Sequence, residues 1–170
     1  IGYDAGFFAH CLTTPGPLPE RVLDAQHFGD VRALPPALLG GVDAVVHLAA
    51  VVSAQAEADF DLGLKVNLHG TLAVLSACRA LPAPPRVVFT SSVASFSGGQ
   101  GAVLPDEARQ VPENSYGAQK AMGELLLADA SRRGMVDAVS IRLPTVVVRP
   151  GRPNKAASSF VSAILREPLL

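Results

Sequence analysis

The sequence has no tryptophan, only two cysteines and few charged residues among its 170 positions. Cys11 and Cys78 are too few for a disulfide framework, and their spacing suits no metal site. The charged fraction is 17% and the formal net charge is −1. Nucleic-acid-binding proteins usually carry a basic patch, so this near balance argues against that class. We therefore predict a protein of the reducing cytoplasm that holds no metal and binds no nucleic acid.

Long apolar runs are also absent. The longest, from Ala44 to Val52, is interrupted by His47, whereas a membrane-spanning helix takes about 20 apolar residues. Apolar residues nevertheless make up 49% of the chain. A chain of 170 residues is long enough for one domain with a real core. The composition thus predicts a globular protein that makes no contact with a membrane.

What the chain does contain is an alternation of strand and helix patterns. Apolar runs bounded by turn residues predict strands, and apolar residues at helical spacing predict helices. Such an alternation favours parallel pairing with right-handed crossovers, so the predicted fold is α/β with a doubly wound, Rossmann-like parallel sheet. The predicted order is a strand over 42–48, a helix over 60–80, a strand over 86–90, a helix over 116–133 and a strand over 138–143.

Both predicted helices have apolar residues that recur on one side. The residues that share a side of the first helix are Leu68, Leu72 and Leu75. The second helix has Arg132 and Arg133 at the negative end of its dipole, and Gly134 suits its C-cap. Its predicted buried residues are Ala118, Met122, Leu125 and Leu126.

One pair on the second helix can carry chemistry. Tyr116 and Lys120 are four positions apart, which puts them on one helix face. A phenol has a reference pKa of about 10, and lowering it by about three units needs roughly 4 kcal/mol, which a nearby cation can supply. Ser92, at the end of the run over 86–92, would then bind the oxygen of an alcohol that gives its proton to the phenol. A Tyr–Lys pair alone, however, is also common on helices.

Six short segments follow one another along the chain: GDVR at 29–32, VVHLAA at 45–50, VNLHGT at 66–71, FTSS at 89–92, YGAQK at 116–120 and RLPT at 142–145. Together they resemble the short-chain dehydrogenase/reductase superfamily, in its extended, epimerase-like branch. Residues 142–160 and the closing LREPL at 165–169 are similar to the D-erythronate dehydrogenase group of that branch. This resemblance implies NAD-dependent oxidation of a secondary alcohol on a small sugar acid, at its 2-hydroxyl.

The resemblance also implies a role for each matching residue. The implied catalytic residues are Ser92, Tyr116, Lys120 and Asn67. The implied NAD-binding residues are Asp30, Val31, Leu48, Ala49, Ala50, Asn67, Tyr116, Lys120, Pro144 and Thr145. The implied substrate-binding residues are Ser92, Tyr116, Arg149 and Asn154, and an arginine fork suits the carboxylate of a sugar acid. The helices that bear Asn67 and Tyr116 are expected to pair in a homodimer.

Several of these residues also have a plain structural interpretation. Asp30 could cap the short helix that follows it, and Asn67 could be exposed on its helix. The turn with Arg149, Arg152, Asn154 and Lys155 could be a solvated loop. His47 is predicted to be a packing residue, because no His, Cys or carboxylate stands at ligand spacing from it. Asp61 and Glu124 have no evident partner in the sequence.

Two other functions remain open. A nucleotide-sugar epimerase or dehydratase would use the same Ser-Tyr-Lys set and bind a sugar nucleotide in place of a sugar acid. A remnant that keeps the sheet and has lost the cofactor would not catalyse any reaction. This second alternative is favoured by the lack of a glycine-rich turn, which would bring backbone amides against a pyrophosphate.

The two ends of the chain fit the resemblance least. Residues 1–27 carry Pro15, Pro17 and Pro19 and are predicted to be a loop of weak order, without a strand that ends in a ribose-binding carboxylate. Residues 28–170 are predicted to be a partial NAD-binding domain with the start of a substrate region. We expect the middle of a larger enzyme, incomplete at the N-terminus and lacking most of the C-terminal substrate domain.

Overall fold

A computed structural model describes residues 1–6, 23–98, 103–146, 161 and 164. Its strands are β1 Gly2–Asp4, β2 Gln26–Phe28, β3 Ala44–His47, β4 Arg86–Ser92 and β5 Asp137–Leu143. Its helices are α1 Ser53–Ala58, α2 Phe60–Gly63, α3 Gly70–Arg79 and α4 Ser115–Arg132, with a π-helical segment at Leu64–His69. Short 3-10 turns occupy Val31–Ala33, Pro36–Leu39 and Val93–Phe96. The predicted alternation of strands and helices is confirmed.

The strands form two parallel sheets within the described residues. Strands β3, β4 and β5 form one sheet in that order, and β1 and β2 form a separate pair. Val87 and Phe89 are buried because β4 is the central strand of the larger sheet. His47 pairs with Phe89, and Ser92 pairs with Leu143, so the carboxyl ends of all three strands lie along one edge. Ligands of open α/β sheets bind beyond this edge.

The β1–β2 pair corrects the prediction for residues 1–27. Tyr3 aligns with His27 in a parallel register, so the predicted loop is wrong at both strands. Strand β1 also ends in a carboxylate, Asp4, whose Oδ1 accepts a hydrogen bond from Gly6 N at 2.5 Å. Strands of three residues are too short to show an apolar pattern, which is why the sequence pattern does not reveal them.

The core lies between the central sheet and helices α3 and α4. Its buried residues include Val74, Leu75 and Cys78 of α3, Val87 and Phe89 of β4, and Leu127 and Ala130 of α4. The helix predicted over 60–80 is confirmed, and Asp59 begins it by accepting a hydrogen bond from Leu62 N at 2.9 Å. On its predicted apolar side Leu75 is buried and Leu72 is exposed.

Helix α4 is confirmed in extent. Of its predicted buried residues, Leu126 packs against the core, but the prediction is wrong for Met122 and Leu125. Asn114 begins it, with Oδ1 accepting a hydrogen bond from Gly117 N at 2.7 Å. Met122 is 39% exposed and Leu125 is 69% exposed. The buried residues are Gly117, Gln119, Lys120, Gly123, Glu124, Leu127 and Ala130. Gln119, Lys120 and Glu124 can occupy this face because each forms at least one hydrogen bond inside the protein, although Gln119 Nε2 has no partner among the described residues.

The described residues hold no sign of a membrane span or a metal centre. None of their helices is long and apolar enough to cross a bilayer. Their His, Cys, Asp and Glu side chains form no group of three or more that could hold a metal ion.

Candidate active site

The carboxyl edge of the central sheet holds six of the thirteen predicted site residues. Leu48 follows β3 and is 64% exposed, and the two alanines at 49–50 are half-buried. Ser92 ends β4 and is half-buried, while residues 144–145 follow β5 and are exposed. The edge therefore combines small residues, an apolar surface and hydroxyl groups at the ends of neighbouring strands.

Ser92 begins a tight turn that touches helix α4. Its Oγ accepts a hydrogen bond from Ala94 N at 3.1 Å, and the Ser92 carbonyl oxygen accepts one from Ser95 Oγ at 2.9 Å. A Cβ built on Gly117 would lie 2.3 Å from the Ala94 carbonyl oxygen, so only glycine fits this approach. The first turn of α4, which carries Tyr116, therefore packs directly on the turn that begins at Ser92.

Lys120 is buried between helix α4 and strand β4, with 2% of its surface exposed. Its Nζ donates a hydrogen bond to the Thr90 carbonyl oxygen at 2.6 Å. The same Nζ lies 5.6 Å from the centre of the Tyr116 ring and 4.7 Å from that of Phe89. Burial lowers the pKa of Lys120 to about 8, because removal from water disfavours the ammonium. At pH 7 the side chain is still mostly cationic.

Asn67 lies in the π-helical segment and connects two parts of the site. It is 2% exposed, so the interpretation as an exposed helix residue is wrong. Its Oδ1 accepts a hydrogen bond from Val51 N at 2.9 Å. Its Nδ2 donates to Val51 O at 3.2 Å and to Gln119 Oε1 at 2.8 Å. Asn67 therefore fixes the loop after β3 against the turn of α4 that carries Lys120.

The sequence pattern does not predict the π-helical turns around Asn67. Single π-helical turns inside α-helices occur frequently at functional sites. Here they run over Leu64–His69, between α2 and α3, and Asn67 is their buried residue. The unfavourable asparagine inside an otherwise apolar helix is the signal that could have located them.

His47 is buried, as predicted for a packing residue, and its tautomer is defined by its partner. Its Nε2 lies 3.0 Å from Thr71 Oγ1, and that hydroxyl donates to the Asn67 carbonyl oxygen at 2.7 Å. The hydroxyl proton is thus in use, so His47 Nε2 is the donor. Burial, helped by the Lys120 cation, lowers the pKa of His47 to about 4, so the ring is neutral at pH 7.

Glu124, for which the sequence offers no partner, is buried one helical turn beyond Lys120. Ser91 Oγ donates a hydrogen bond to its Oε1. Arg142 donates from Nε to both carboxylate oxygens, at 3.1 and 3.0 Å, and from Nη2 to Oε2 at 2.8 Å. The signal that could have found Glu124 is the spacing of four, which continues from Tyr116 through Lys120 to this residue.

The side chain of Asp30 is engaged by its own turn. It accepts a hydrogen bond from Arg32 N at 2.8 Å and forms a salt bridge with the guanidinium. The alternative that Asp30 caps the following short helix is therefore correct, and the Arg32 hydrogen bonds lower the pKa of this carboxyl. Val31 packs against α3, since a Cβ on Gly70 would lie 2.7 Å from its Cγ1. A cofactor contact for both residues stays a prediction.

The predicted substrate-binding turn lies outside the described residues. This holds for Arg149 and Asn154 and for their neighbours Arg152 and Lys155. Their contact with a substrate carboxylate stays a prediction.

Two curated proteins resemble this chain over most of its length. It is 58% identical over 140 residues to D-erythronate dehydrogenase of Cupriavidus necator, which covers 82% of this chain and 43% of that protein. It is 51% identical over 127 residues to D-erythronate dehydrogenase of Haemophilus influenzae, which covers 75% of this chain and 40% of that protein. The chain thus spans less than half the length of each relative.

The fold agrees with that of a solved structure. The nucleoside-diphosphate-sugar epimerase from Agrobacterium tumefaciens matches with a TM-score of 0.75 and 47% identity, covering 91% of this chain and 48% of that chain. The family model of the NAD dependent epimerase/dehydratase family matches residues 24–169. This match includes the central sheet, the π-helical segment and helix α4. The chain therefore belongs to the NAD dependent epimerase/dehydratase family.

Proposed function

We propose that this chain carries the catalytic part of an NAD-dependent dehydrogenase. The proposed reaction oxidises the 2-hydroxyl group of a small sugar acid of the D-erythronate type. The observation that carries this proposal is the buried Lys120 ammonium, 5.6 Å from the Tyr116 ring beside the carboxyl edge of the sheet. The names of the two relatives at 58% and 51% identity support the substrate class.

The residues at this edge fit a bound dinucleotide. Leu48 offers an exposed apolar surface, and the alanines at 49–50 let a ligand approach the backbone closely. An ammonium has three N–H groups, so Lys120 can bind a ribose hydroxyl in addition to Thr90. Asp4, at the end of β1, would accept a hydrogen bond from the adenosine ribose, the arrangement typical of NAD binding. Asp30, Val31, Asn67, Tyr116, Pro144 and Thr145 complete the proposed cofactor contacts.

The chemistry assigns a separate task to each polar group. The Lys120 cation favours the phenolate of Tyr116, which takes the proton of the substrate hydroxyl. Ser92 Oγ donates a hydrogen bond to the same substrate oxygen as its bond to carbon becomes a double bond. NAD, when bound, supplies the acceptor for the hydrogen that leaves the carbon with two electrons. Asn67 positions the helix turn that carries Lys120.

The substrate carboxylate is assigned to Arg149 and Asn154. A guanidinium forms two parallel hydrogen bonds with a carboxylate, which fixes the orientation of a small acid. The division of the chain at residue 28 into a poorly matching segment and a partial NAD-binding domain stays a prediction.

A nucleotide-sugar epimerase is the second candidate. The 47% identity to a nucleoside-diphosphate-sugar epimerase favours it, and the same three polar groups would serve it. The products separate the two functions. A dehydrogenase accumulates NADH as the sugar acid is oxidised, whereas an epimerase returns the hydrogen to its substrate and NADH does not accumulate.

Calorimetric titration of the 170-residue chain with NAD, followed by turnover with D-erythronate, tests the proposal. Because the sequence has no glycine-rich turn to hold the pyrophosphate, we expect weak but saturable binding and slow NADH formation. Lys120→Met should abolish NADH formation, whereas Arg132→Gln, at the exposed far end of α4, should not affect it. A folded chain that neither binds NAD nor turns over would contradict the proposal and favour the non-catalytic alternative.

We also propose that two copies of the chain pair through α3 and α4. Leu72 on α3 is 42% exposed, and Met122 and Leu125 lie on the exposed side of α4. Exposed apolar side chains that lie close together on a protein surface are typical of interfaces, and pairing of the two helices would cover these three. Mass measurement in solution should give a dimer, and Leu125→Glu should give a monomer. A monomeric parent chain would contradict this pairing.

A further inference from the structure

The buried Glu124 carboxylate has no part in the proposed proton transfer, yet it lies beside it. Tyr116, Lys120 and Glu124 follow one another at intervals of four on α4 and therefore share one face. The partner of Lys120 on β4 is Thr90, and the partner of Glu124 is the next residue, Ser91. The phenol, the ammonium and the carboxylate thus form a row along the end of β4.

Within this row, Glu124 is the group that could neutralise the Lys120 ammonium. A carboxylate and an ammonium four positions apart on a helix attract each other. Among the described residues, however, no carboxylate lies within ion-pair distance of Lys120 Nζ. Both carboxylate oxygens of Glu124 accept hydrogen bonds from Arg142.

Arg142 is well suited to hold this carboxylate. Its guanidinium contacts both oxygens, a planar fork geometry that a lysine does not reproduce. It also lies 4.8 Å from the centre of the Phe96 ring, a cation–π distance. These contacts fix the guanidinium on the β5 side of Glu124. Glu124 is buried and the Arg142 side chain is 39% exposed, so salt in the solvent screens this partly buried pair less than it screens a surface pair.

We propose that Arg142 keeps the Glu124 carboxylate away from Lys120, so that the whole charge of the ammonium acts on the Tyr116 phenol. Arg142 and Glu124 are then positioning residues that act through Lys120. This inference rests on the proposed function, in which Lys120 favours the phenolate.

Other ionisable groups lie on the elements that surround the row. His47 of β3 is neutral at pH 7, and Glu57 of α1 accepts a hydrogen bond from Ser115 N at 2.8 Å. The ionisable side chains on α2 and the π-helical segment, Asp61, Lys65 and His69, are exposed. The carboxyl end of β4 and the turn Val93–Phe96 carry no ionisable side chain. All these groups stay unchanged in the variants below.

The chain allows a direct measurement, because it has two tyrosines and no tryptophan. In a Tyr3→Phe background, the ultraviolet absorbance of tyrosinate reports the titration of Tyr116 in the full chain without cofactor. In Arg142→Gln we expect the midpoint to rise by about half to one pH unit, because the freed carboxylate pairs with Lys120. Arg142→Lys, which keeps a cation beside Glu124, should give a smaller rise.

Two further variants separate the effect of charge from that of packing. The double variant E124Q/R142Q has no carboxylate left to pair with Lys120, so its midpoint should return to that of the parent. Loosened packing would instead leave the midpoint raised. Arg132→Gln is the matched control, because it breaks the exposed pair with Asp129 on the same helix. It should leave the midpoint unchanged.

An unchanged midpoint in Arg142→Gln, or one that stays raised in the double variant, would overturn the inference. Either result leaves the proposed function standing, provided that the Tyr3→Phe parent titrates below the reference pKa of about 10. A parent that titrates at the reference value would remove the proposed function and this inference together. Far-ultraviolet circular dichroism of every variant verifies that the compared chains are folded.

Discussion

The two faces of helix α4 differ from those of an ordinary surface helix, because its buried face mixes charged and polar side chains with apolar ones. The face against the sheet carries Gln119, Lys120 and Glu124, whereas Met122 and Leu125 lie on the exposed side. Surface helices usually turn their apolar side to the core. Each of these three polar side chains forms at least one hydrogen bond inside the protein, while Gln119 Nε2 has no partner among the described residues. The comparison teaches that the buried face of α4 holds charged side chains at fixed positions.

The largest expected effect is that of Tyr116→Phe on the rate of NADH formation. Tyr116→Phe keeps the ring and removes the group that takes the substrate proton. General acid–base groups contribute about 100- to 10,000-fold, so the rate of NADH formation with D-erythronate should fall by that factor. Tyr3→Phe is the matched control and should keep the parent rate. A rate within tenfold of the parent in Tyr116→Phe would contradict the assignment.

A matched leucine pair compares the two faces by stability. Leu127 is 1% exposed, and Leu127→Ala should lower the free energy of unfolding by about 2–5 kcal/mol, because it leaves a cavity in the core. Leu125→Ala, at an exposed position of the same helix, should change it by less than about 0.5 kcal/mol in the monomer. Urea unfolding measures both. Equal losses would mean that the faces of α4 are assigned wrongly.

The buried Lys120 makes the free energy of unfolding depend on pH. Burial lowers its pKa from 10.5 to about 8. Between these values the unfolded chain binds more protons than the folded chain, so the free energy of unfolding rises with pH there. Lys120→Met removes the buried cation and should raise the free energy of unfolding at pH 7 by up to about 3 kcal/mol.

The stabilisation expected for Lys120→Met depends on pH. The difference between Lys120→Met and the parent should be constant below pH 8 and shrink as the pH approaches 10.5. Lys65→Met, at an exposed position, should show no such course. Urea unfolding at several pH values measures it, and a difference of the same size at every pH would contradict the burial of a charged Lys120.

The smallest expected effect concerns the start of α4. Asn114 Oδ1 accepts a hydrogen bond from Gly117 N at 2.7 Å. Asn114→Ala removes this cap and should lower the free energy of unfolding by about 1 kcal/mol. Arg133→Ala, at the other end of the helix, should change it less. Thermal unfolding measures both, and a larger loss in Arg133→Ala would contradict the capping role.

Much of the fold could be predicted because its elements carry strong local patterns. The apolar run that becomes β4 is bounded by Pro85 and by the serines at its end, and the spacing of Tyr116 and Lys120 places both on one helix face. These signals are local, so they stand out in a single sequence. The parallel order of β3, β4 and β5 then follows from the alternation with helices.

The rest depended on contacts between distant positions. Glu124 and Arg142 are 18 positions apart and lie on different elements, so neither residue reveals the other in the sequence. Apolar spacing places Met122 and Leu125 on the inner face of α4, and the structure exposes both because tertiary hydrogen bonds hold polar side chains on that face. Arg149 and Asn154 lie outside the described residues, so their predicted role has not been tested.

Gly117 sets the separation between helix α4 and the strand that ends at Ser92. The atom that a methyl group would meet, the Ala94 carbonyl oxygen, belongs to the backbone, so it cannot rotate aside as a flexible side chain would. An alanine at position 117 would therefore move the helix outward as a body. Tyr116 and Lys120 would travel with it while Ser92 stayed behind. The missing Cβ at position 117 thus allows the start of α4 to approach the turn after β4 closely.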